Sequence, residues 1–333
     1  PRSCAPFGEL ISIMNVVFMG TPDFALPSLR RLAETSQHII AVITQPDRPK
    51  GRHLKHSSPP PVKQLAEKLG LKVMQPENVN DPKTLRELRD MGPDLIVVVA
   101  FGQKLSQEFL EIPKIACINL HASLLPKYRG AAPIIWAVVN GEKTTGVTAQ
   151  KVVYEMDAGD IILQEAVDIA PDDTAGDLEP RLSEVAGNLL IKVLDAYEQS
   201  TVSYSPQRKE LVNYAPRLKK QDGLINWNQP AEKIHDFIRG MNPKPGAFSF
   251  ITDLDGMSKK RLVLLRSHPE TQKTPQEICK PGTVLATSAH GVQVATADGS
   301  LWITKLQPEG GRVMTAQEYL RGHQIDRGEC FTP

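Results

Sequence analysis

Short apolar runs alternate with amphipathic segments over the first part of the chain, and this alternation constrains the fold more than any other feature. Asn15 to Met19 and Ile39 to Thr44 have the length and composition of buried strands. Between them, Ala25 to Ala33 places leucines at helical spacing. A strand, a helix and a second strand in this order predict parallel pairing through a right-handed crossover. The sequence therefore predicts an α/β fold with a doubly wound, mostly parallel, Rossmann-like sheet.

The pattern continues through two further strands and then changes direction. Asp94 to Ala100 and Ile115 to Ile118 are apolar runs of strand length. Gly146 to Val153 and Ile161 to Val167 flank a turn rich in Asp and Gly, which predicts an antiparallel hairpin. Thr174 to Tyr197 carries apolar residues at helical spacing, so we expect it to form a long helix that packs on this sheet.

A different pattern begins after residue 205. Residues 206–222 contain Pro206 and Pro216 and no sustained period, which indicates a linker. Short strands punctuated by glycine over residues 223–333 predict a small β-barrel. We therefore expect a first domain at 14–205, a linker at 206–222, a second domain at 223–333, and at 1–13 an upstream extension or a cloning remnant.

Charge is distributed unevenly between the two halves of the chain. The 333 residues carry a net charge of +1, with 41% hydrophobic and 23% charged residues, a composition typical of globular proteins. Residues 1–205 contain 21 Lys and Arg against 25 Asp and Glu, whereas residues 206–333 contain 18 against 13, which gives −4 and +5. A basic second half is compatible with an RNA partner, although charge alone does not establish one.

Cysteine usage and hydropathy indicate the compartment. The four cysteines form no Cys-x-x-Cys unit, which favours a reducing compartment and argues against a zinc site. Cys117 should pack as a small apolar residue. His53 and His56 have ligand-like spacing but no nearby Cys or Glu, so we interpret them as loop surface. Since we find no signal peptide and no apolar run long enough to cross a bilayer, we expect a cytoplasmic protein without a bound metal.

Two polar residues follow the strand predicted at 115–118. Asn119 and His121 lie at or just beyond its carboxyl end, which is where open parallel sheets bind ligands. Because side chains alternate along an extended chain, both should point to the same side. An amide donor beside an imidazole suits a reaction in which a carbonyl oxygen becomes an oxyanion while a proton moves. The alternative is a strand end whose polar side chains cap backbone groups.

The segment from Asn119 to Gly130 has the sequence Asn-Leu-His-Ala-Ser-Leu-Leu-Pro-Lys-Tyr-Arg-Gly, which resembles the signature of the folate-dependent formyltransferases. Gly20 to Phe24 and Met156 to Asp160 also match motifs of this family, and the resemblance runs from about Met14 nearly to the C-terminus. It implies transfer of a formyl group from 10-formyltetrahydrofolate to the α-amine of initiator methionyl-tRNA, for translation initiation. It also implies that the first domain is catalytic and that the second is an OB-like barrel that binds tRNA.

The resemblance also assigns roles to individual residues. Asn119 would donate to the oxyanion, and His121, paired with Asp157, would stabilise the intermediate and protonate the leaving N10 of tetrahydrofolate. Neither a metal nor a covalent intermediate is required. The residues expected to bind folate are Ser123, Leu124, Leu125 and Pro126, together with the turn formed by Val99, Ala100, Phe101 and Gly102.

A long, basic, proline-rich connection runs from Gln45 to Pro61. Composition alone favours a flexible surface insertion, but loops of this length in ordered domains are usually functional or mobile. The resemblance implies that Arg52 binds the acceptor end of the tRNA and that Arg48 and Lys50 assist.

Other classes of protein remain as alternatives. A dinucleotide-binding oxidoreductase is disfavoured because the turn at Gly20 lacks the Gly-x-Gly-x-x-Gly fingerprint. A formyltransferase acting on a small amine, such as a sugar nucleotide, is disfavoured by the basic loop and the basic second half. A non-catalytic RNA-binding protein is disfavoured by the intact trio Asn119, His121 and Asp157. No obligate protein partner is expected, and the sequence does not predict the oligomeric state.

Overall fold

The computed structural model describes residues 13–49, 57–252, 259–270 and 279–332. Lys50 and Arg52 of the basic loop lie outside the described residues. The chain divides into two compact, discontinuous units. The first unit contains residues up to Gly130, Thr144–Asp168 and Glu179–Ala215, and the second contains Ala131–Lys143, Ile169–Leu178 and the residues from Pro216 onward.

The described residues form sixteen strands and eight α-helices. The strands are β1 (Asn15–Gly20), β2 (His38–Ile43), β3 (Arg48–Pro49), β4 (Ser57–Ser58), β5 (Val73–Met74), β6 (Leu95–Val99), β7 (Ala116–His121), β8 (Thr144–Lys151), β9 (Ile161–Asp168), β10 (Ala247–Thr252), β11 (Lys259–Glu270), β12 (Val284–Ser288), β13 (Gly291–Ala295), β14 (Ser300–Pro308), β15 (Met314–Thr315) and β16 (Cys330–Thr332). The helices are α1 (Leu26–Ala33), α2 (Pro61–Lys68), α3 (Pro82–Met91), α4 (Gln107–Leu110), α5 (Pro133–Val139), α6 (Ala175–Glu198), α7 (Ala231–Gly240) and α8 (Ala316–Leu320). None of these helices is long and apolar enough to cross a membrane.

The sheet of the first unit has the strand order β5-β2-β1-β6-β7-β8-β9. The pairs from β5 to β7 are parallel, whereas β8 is antiparallel to both β7 and β9. This arrangement confirms the predicted doubly wound, mostly parallel sheet and the predicted hairpin. Because parallel strands end at a common edge, the turns that follow β1, β6 and β7 lie near one another.

The register of β7 places its polar residues within the sheet. Asn119 pairs with Val98 of β6 on one side and with Gln150 of β8 on the other, and His121 pairs with Thr148 of β8. The strand therefore continues past the end expected at Ile118. Residues 119–121 are in the strand because they pair with β8, although they lie beyond the apolar run.

The core of the first unit lies against the parallel part of this sheet. Val17, Met19, Ile96 and Phe109 are buried in a single cluster that also contains Cys117. Burial raises the pKa of the Cys117 thiol, so this residue remains protonated and packs as an apolar side chain, as predicted.

The second unit contains an antiparallel sheet with the order β12-β13-β14-β11-β10-β16, in which β15 pairs with β14. Its strands confirm the fold class predicted for the second half of the chain. β16 and α8 were not predicted, because segments of three and five residues are too short to establish a periodicity.

Trp227 lies at the centre of the second unit's core. Its ring packs against that of Phe331, with ring centroids 5.4 Å apart, and its indole N–H donates to Ser249 Oγ at 2.9 Å. The side chain is only 2% exposed. Its large apolar surface is therefore buried, and its one polar atom has a partner.

Replacing Trp227 by Ala should lower the free energy of unfolding of this unit by about 3–5 kcal/mol, because the substitution leaves a cavity and removes the hydrogen bond that Ser249 Oγ accepts. Urea denaturation followed by far-UV circular dichroism measures the effect. Val313, which is 43% exposed, provides the control: Val313→Ala should change the stability by less than about 0.5 kcal/mol. Equal urea midpoints for the two variants would contradict this account of the core.

Candidate active site

The turn after β6 lies beside Asn119, because Val98 pairs with that residue. Ala100 and Gly102 both have positive φ, +49° and +92°, so the chain bends sharply as it leaves the strand. The hydroxyl of Thr21 and the amide of Gln45 both donate to the carbonyl of Phe101, at 3.0 and 3.2 Å. The left-handed conformation of Ala100 is unfavourable for an L-residue and is held by these surroundings.

His121 is buried, and both of its ring nitrogens have neighbours. Nε2 lies 2.9 Å from the carbonyl oxygen of Tyr128, and Nδ1 lies 3.7 Å from Oδ2 of Asp157. A carbonyl oxygen can only accept a hydrogen bond, so Nε2 carries a hydrogen. In a neutral ring Nδ1 is therefore the nitrogen without a hydrogen, and it faces the Asp157 carboxylate.

Asp157 is held by hydrogen bonds to both carboxylate oxygens. The backbone N–H of Gly130 donates to Oδ2 at 2.8 Å, and the side chain of Gln150 donates to Oδ1 at 3.1 Å. Gly159 allows this turn to pack closely, since a Cβ there would lie 1.7 Å from the carbonyl oxygen of Lys151. In the sequence Asp-Ala-Gly, Asp157 thus provides the carboxylate, and Gly159 lets the turn pack against the backbone of Lys151.

Asn119 lies on the same face of β7 as His121, two residues earlier along the strand. Its side-chain amide has no hydrogen-bond partner among the described residues. Both the N–H groups and the oxygen of this amide are therefore available to a bound molecule. The structure thus brings two of the three predicted catalytic residues into contact and places the third on the same strand face.

The loop after β7 is fixed by Thr148, which is fully buried on β8. The Thr148 hydroxyl donates to the carbonyl of Ser123 at 2.6 Å and accepts from the backbone N–H of Leu125 at 3.0 Å. Ser123 is itself fully buried, and its hydroxyl donates to the carbonyl of Lys127 at 2.6 Å. Among the residues expected to bind folate here, Leu124 and Pro126 are the partly exposed ones.

Arg48 is the one described residue of the three expected to bind tRNA. It is exposed on β3, and its guanidinium donates to the side-chain oxygen of Gln45 at 3.3 Å. The neighbouring Asp47 accepts hydrogen bonds from Gln75 and Lys63, which hold the pKa of its carboxyl group below the ordinary value. The base of the basic loop is thus tied to β5 and α2 within the first unit.

Several residues that support the site were not identified from the sequence. Thr148 and Gln150 could have been found from the sequence. They are polar residues two positions apart in a buried strand, so their side chains point to the same side of the sheet. Gln207 and Asn213 carry no such signal. They lie in the segment interpreted as a linker and yet hydrogen-bond the loops beside His121.

Side chains of His, Cys, Asp and Glu are the usual ligands of metal ions in proteins. Within the ranges that the structure describes, no group of three such residues could hold a metal ion.

Comparison with known proteins identifies the family. A model described as formyl transferase matches residues 14–194, and one described as formyl transferase, C-terminal domain, matches residues 217–324. The methionyl-tRNA formyltransferase of Geobacter metallireducens is 45% identical over 315 residues, covering 95% of this chain and 97% of the relative. That of Moorella thermoacetica is 46% identical over 318 residues, covering 96% and 99%.

A solved structure shares the fold. HypX from Aquifex aeolicus, in complex with tetrahydrofolic acid, is 20% identical, with a TM-score of 0.57 over 95% of this chain and 50% of the HypX chain. With the two matched domains and the two full-length relatives, the conclusion is direct: the chain belongs to the formyl transferase family and, within it, to the methionyl-tRNA formyltransferases.

Proposed function

We propose that this chain transfers the formyl group of 10-formyltetrahydrofolate to the α-amino group of methionine on initiator methionyl-tRNA, with Asn119, His121 and Asp157 as its catalytic residues. One observation carries the proposal. The His121 ring is held between the Tyr128 carbonyl and the Asp157 carboxylate, on the strand face that also carries an unpaired amide. The relatives named methionyl-tRNA formyltransferase support the identity of the acceptor, and the HypX structure in complex with tetrahydrofolic acid supports that of the donor.

The reaction makes two demands on the protein. When the amine attacks the formyl carbon, the carbonyl oxygen becomes an oxyanion that needs a hydrogen-bond donor. The Asn119 side chain meets this demand, because its N–H groups are not used elsewhere among the described residues. When the intermediate collapses, the bond from carbon to N10 breaks and N10 must receive a proton.

His121 meets the second demand through Nδ1. The attacking amine becomes positively charged, and Nδ1 accepts its proton while Nε2 remains bonded to the Tyr128 carbonyl. The resulting imidazolium is stabilised by Asp157 at 3.7 Å and then delivers the proton to N10. The amine, the ring and N10 thus exchange one proton, and no proton is lost to solvent.

The two turns beside these residues provide the folate site of the proposal. Val99, Ala100, Phe101 and Gly102 leave β6, and Ser123, Leu124, Leu125 and Pro126 follow β7, so both groups flank Asn119. Exposed backbone at Ala100 and Gly102 offers hydrogen-bonding groups to a flat heterocycle, while Leu124 and Pro126 offer apolar surface.

Charged tRNA would be bound by basic groups in two parts of the sequence. Arg48, Lys50 and Arg52 lie in the loop after β2, and residues 206–333 carry five more basic than acidic residues. Contacts to phosphates would supply affinity that depends on salt. Because the proposed acceptor is taken from translation, the proposed compartment is the cytoplasm.

The direct test is an assay of formyl transfer from 10-formyltetrahydrofolate to charged initiator tRNA, with an amino-sugar nucleotide offered in parallel. We expect formylated methionyl-tRNA and no formylated sugar. Transfer to the sugar nucleotide alone would replace this proposal with the small-amine alternative.

Replacing His121 by Ala should lower kcat by about 10²–10⁴, because the variant can neither accept nor deliver the proton. Asp157→Asn should have a comparable effect, since it removes the charge beside Nδ1. The double variant should be little worse than either single one, because the two groups act as a unit. Steady-state kinetics with charged tRNA measure all three.

His38 provides a matched control for these variants. It is exposed at the start of β2, and among the described residues its ring hydrogen-bonds to Asn15 Oδ1. His38→Ala should leave kcat unchanged within about twofold, an order-of-magnitude bound on surface effects. Normal turnover by His121→Ala would remove the proposed mechanism.

Replacing Arg52 by Ala should lower kcat/KM for methionyl-tRNA while folate affinity stays near that of the unmodified protein. If Arg52 contacts a phosphate, the salt dependence of tRNA binding should also become shallower by about one counterion. Arg52→Lys keeps the positive charge, so its binding should then show the salt dependence of the unmodified protein. If Arg52 instead makes a planar, bidentate contact, Arg52→Lys should be impaired like Arg52→Ala, because the Lys side chain has no guanidinium group. Measurement of kinetics and binding across a salt series separates these cases.

Lys68→Ala is the control for the loss of one positive charge, since Lys68 is exposed in the last turn of α2. It should leave tRNA kinetics unchanged. If Arg52→Ala and Lys68→Ala had the same kcat/KM for methionyl-tRNA, the loop would have no role in tRNA binding and would be a flexible surface insertion.

A further inference from the structure

Residues 205–215, which we call the strap, pack within the first unit, although all but the first were expected to belong to a linker. At one end, Ser205 and Ile161 exchange two backbone hydrogen bonds of 2.8 and 2.9 Å. At the other end, the N–H of Arg129 donates to the carbonyl of Asn213 at 3.0 Å, and the N–H of Ala215 donates to the carbonyl of Arg129 at 2.7 Å. The strap is therefore anchored on both sides of the loops that surround His121.

The side chain of Asn213 holds the peptide that orients His121. Its Oδ1 accepts a hydrogen bond from the backbone N–H of Tyr128. The carbonyl of the same residue accepts from His121 Nε2. Tyr128 has a φ of +62°, a conformation that an L-residue keeps only when its surroundings impose it. Asn213 is thus one side-chain contact away from the catalytic ring.

The side chain of Gln207 joins the two loops directly. Its oxygen accepts from Nε and Nη2 of Arg129, at 3.0 and 2.8 Å, and its nitrogen donates to the carbonyls of Asp157 and Gly159, at 2.8 and 2.7 Å. Arg129 is 7% exposed, and its ion-pair partner Glu155 is largely in solvent. Gln207 therefore satisfies a buried guanidinium and fixes the backbone at Asp157, where φ is +51°.

We propose that Gln207 and Asn213 are positioning residues of the active site. Through them the strap fixes both partners of the His121 ring, the Tyr128 carbonyl at Nε2 and the Asp157 carboxylate at Nδ1. Neither residue contacts the ring itself. Proton transfer depends steeply on the placement of the groups involved, so loss of either contact should lower the rate without weakening substrate binding. The rate measurements rest on the proposed function.

The two side chains differ in the hydrogen-bonding groups that they use. Asn213 contributes only an acceptor, and Asn213→Asp keeps that acceptor, with the new charge exposed to solvent. Gln207 uses its acceptor and its donor. Gln207→Glu keeps the acceptor for Arg129 but places a carboxylate oxygen against two carbonyl oxygens. The acidic substitution should therefore preserve function at position 213 and impair it at position 207.

Steady-state kinetics with charged tRNA should be measured for Asn213→Ala, Asn213→Asp, Gln207→Ala and Gln207→Glu. We expect kcat to fall by about 10–100-fold in all except Asn213→Asp, with KM values for both substrates nearly unchanged. Gln199→Ala, at an exposed glutamine just after α6, is the matched control and should retain full activity. Thermal unfolding of each variant confirms folding, and if a Gln207 variant does not fold, the two Asn213 variants decide the question.

A second measurement does not require turnover. In protein labelled with ¹⁵N-histidine, the ring signals of His121, assigned by their loss in His121→Gln, report which nitrogen carries the hydrogen. We expect a single Nε2–H form in the unmodified protein and in Asn213→Asp, and a mixture in Asn213→Ala and Gln207→Ala.

Unchanged His121 signals in both alanine variants, or equal impairment of Asn213→Asp and Asn213→Ala, would overturn the proposal. If the unmodified protein does not formylate methionyl-tRNA, the proposed function fails while these signals still test the strap.

Discussion

The hydrogen bond from His121 Nε2 to the Tyr128 carbonyl is the interaction on which the active site depends. It occupies one ring nitrogen and leaves Nδ1, beside Asp157, as the nitrogen that exchanges a proton in the proposed mechanism. The acceptor, seven residues after His121, belongs to a residue with a left-handed backbone conformation. In the proposed mechanism this strained backbone orients the ring, so the contacts that hold it contribute to catalysis together with the ring.

The antiparallel hairpin at the end of the sheet supplies the other half of the site. β8 places Thr148 opposite His121 and Gln150 opposite Asn119, so two polar residues lie beside the proposed catalytic residues of β7. Thr148 fixes the loop after β7, and Gln150 holds the carboxylate of Asp157, which comes from the turn between β8 and β9. A sheet that begins as a parallel ligand-binding scaffold therefore ends in a hairpin that completes the site.

The sequence predicted the large elements well, because their periodicities extend over several residues. α6, Ala175–Glu198, lies within one residue of the predicted bounds at each end, and the hairpin of β8 and β9 was identified from two runs around an Asp-Gly turn. Elements of two to five residues, such as α4, α8 and β16, were missed because such lengths contain about one helical turn or less. The end of β7 was also placed too early, since pairing with β8 rather than apolarity carries the strand to His121.

By itself, the sequence determined which residues are the candidates for the chemistry, because an Asn-x-His at a strand end and an Asp in a glycine turn are local patterns that can be read at single positions. Only the tertiary structure decided how these residues are held. Gln207 lies 78 residues from Arg129, and Asn213 lies 85 residues from Tyr128. Contacts at such separations leave no period in the sequence, so a segment without regular structure looked like a linker. Its role follows from where hydrogen-bond donors and acceptors meet in space, and folding alone brings them together.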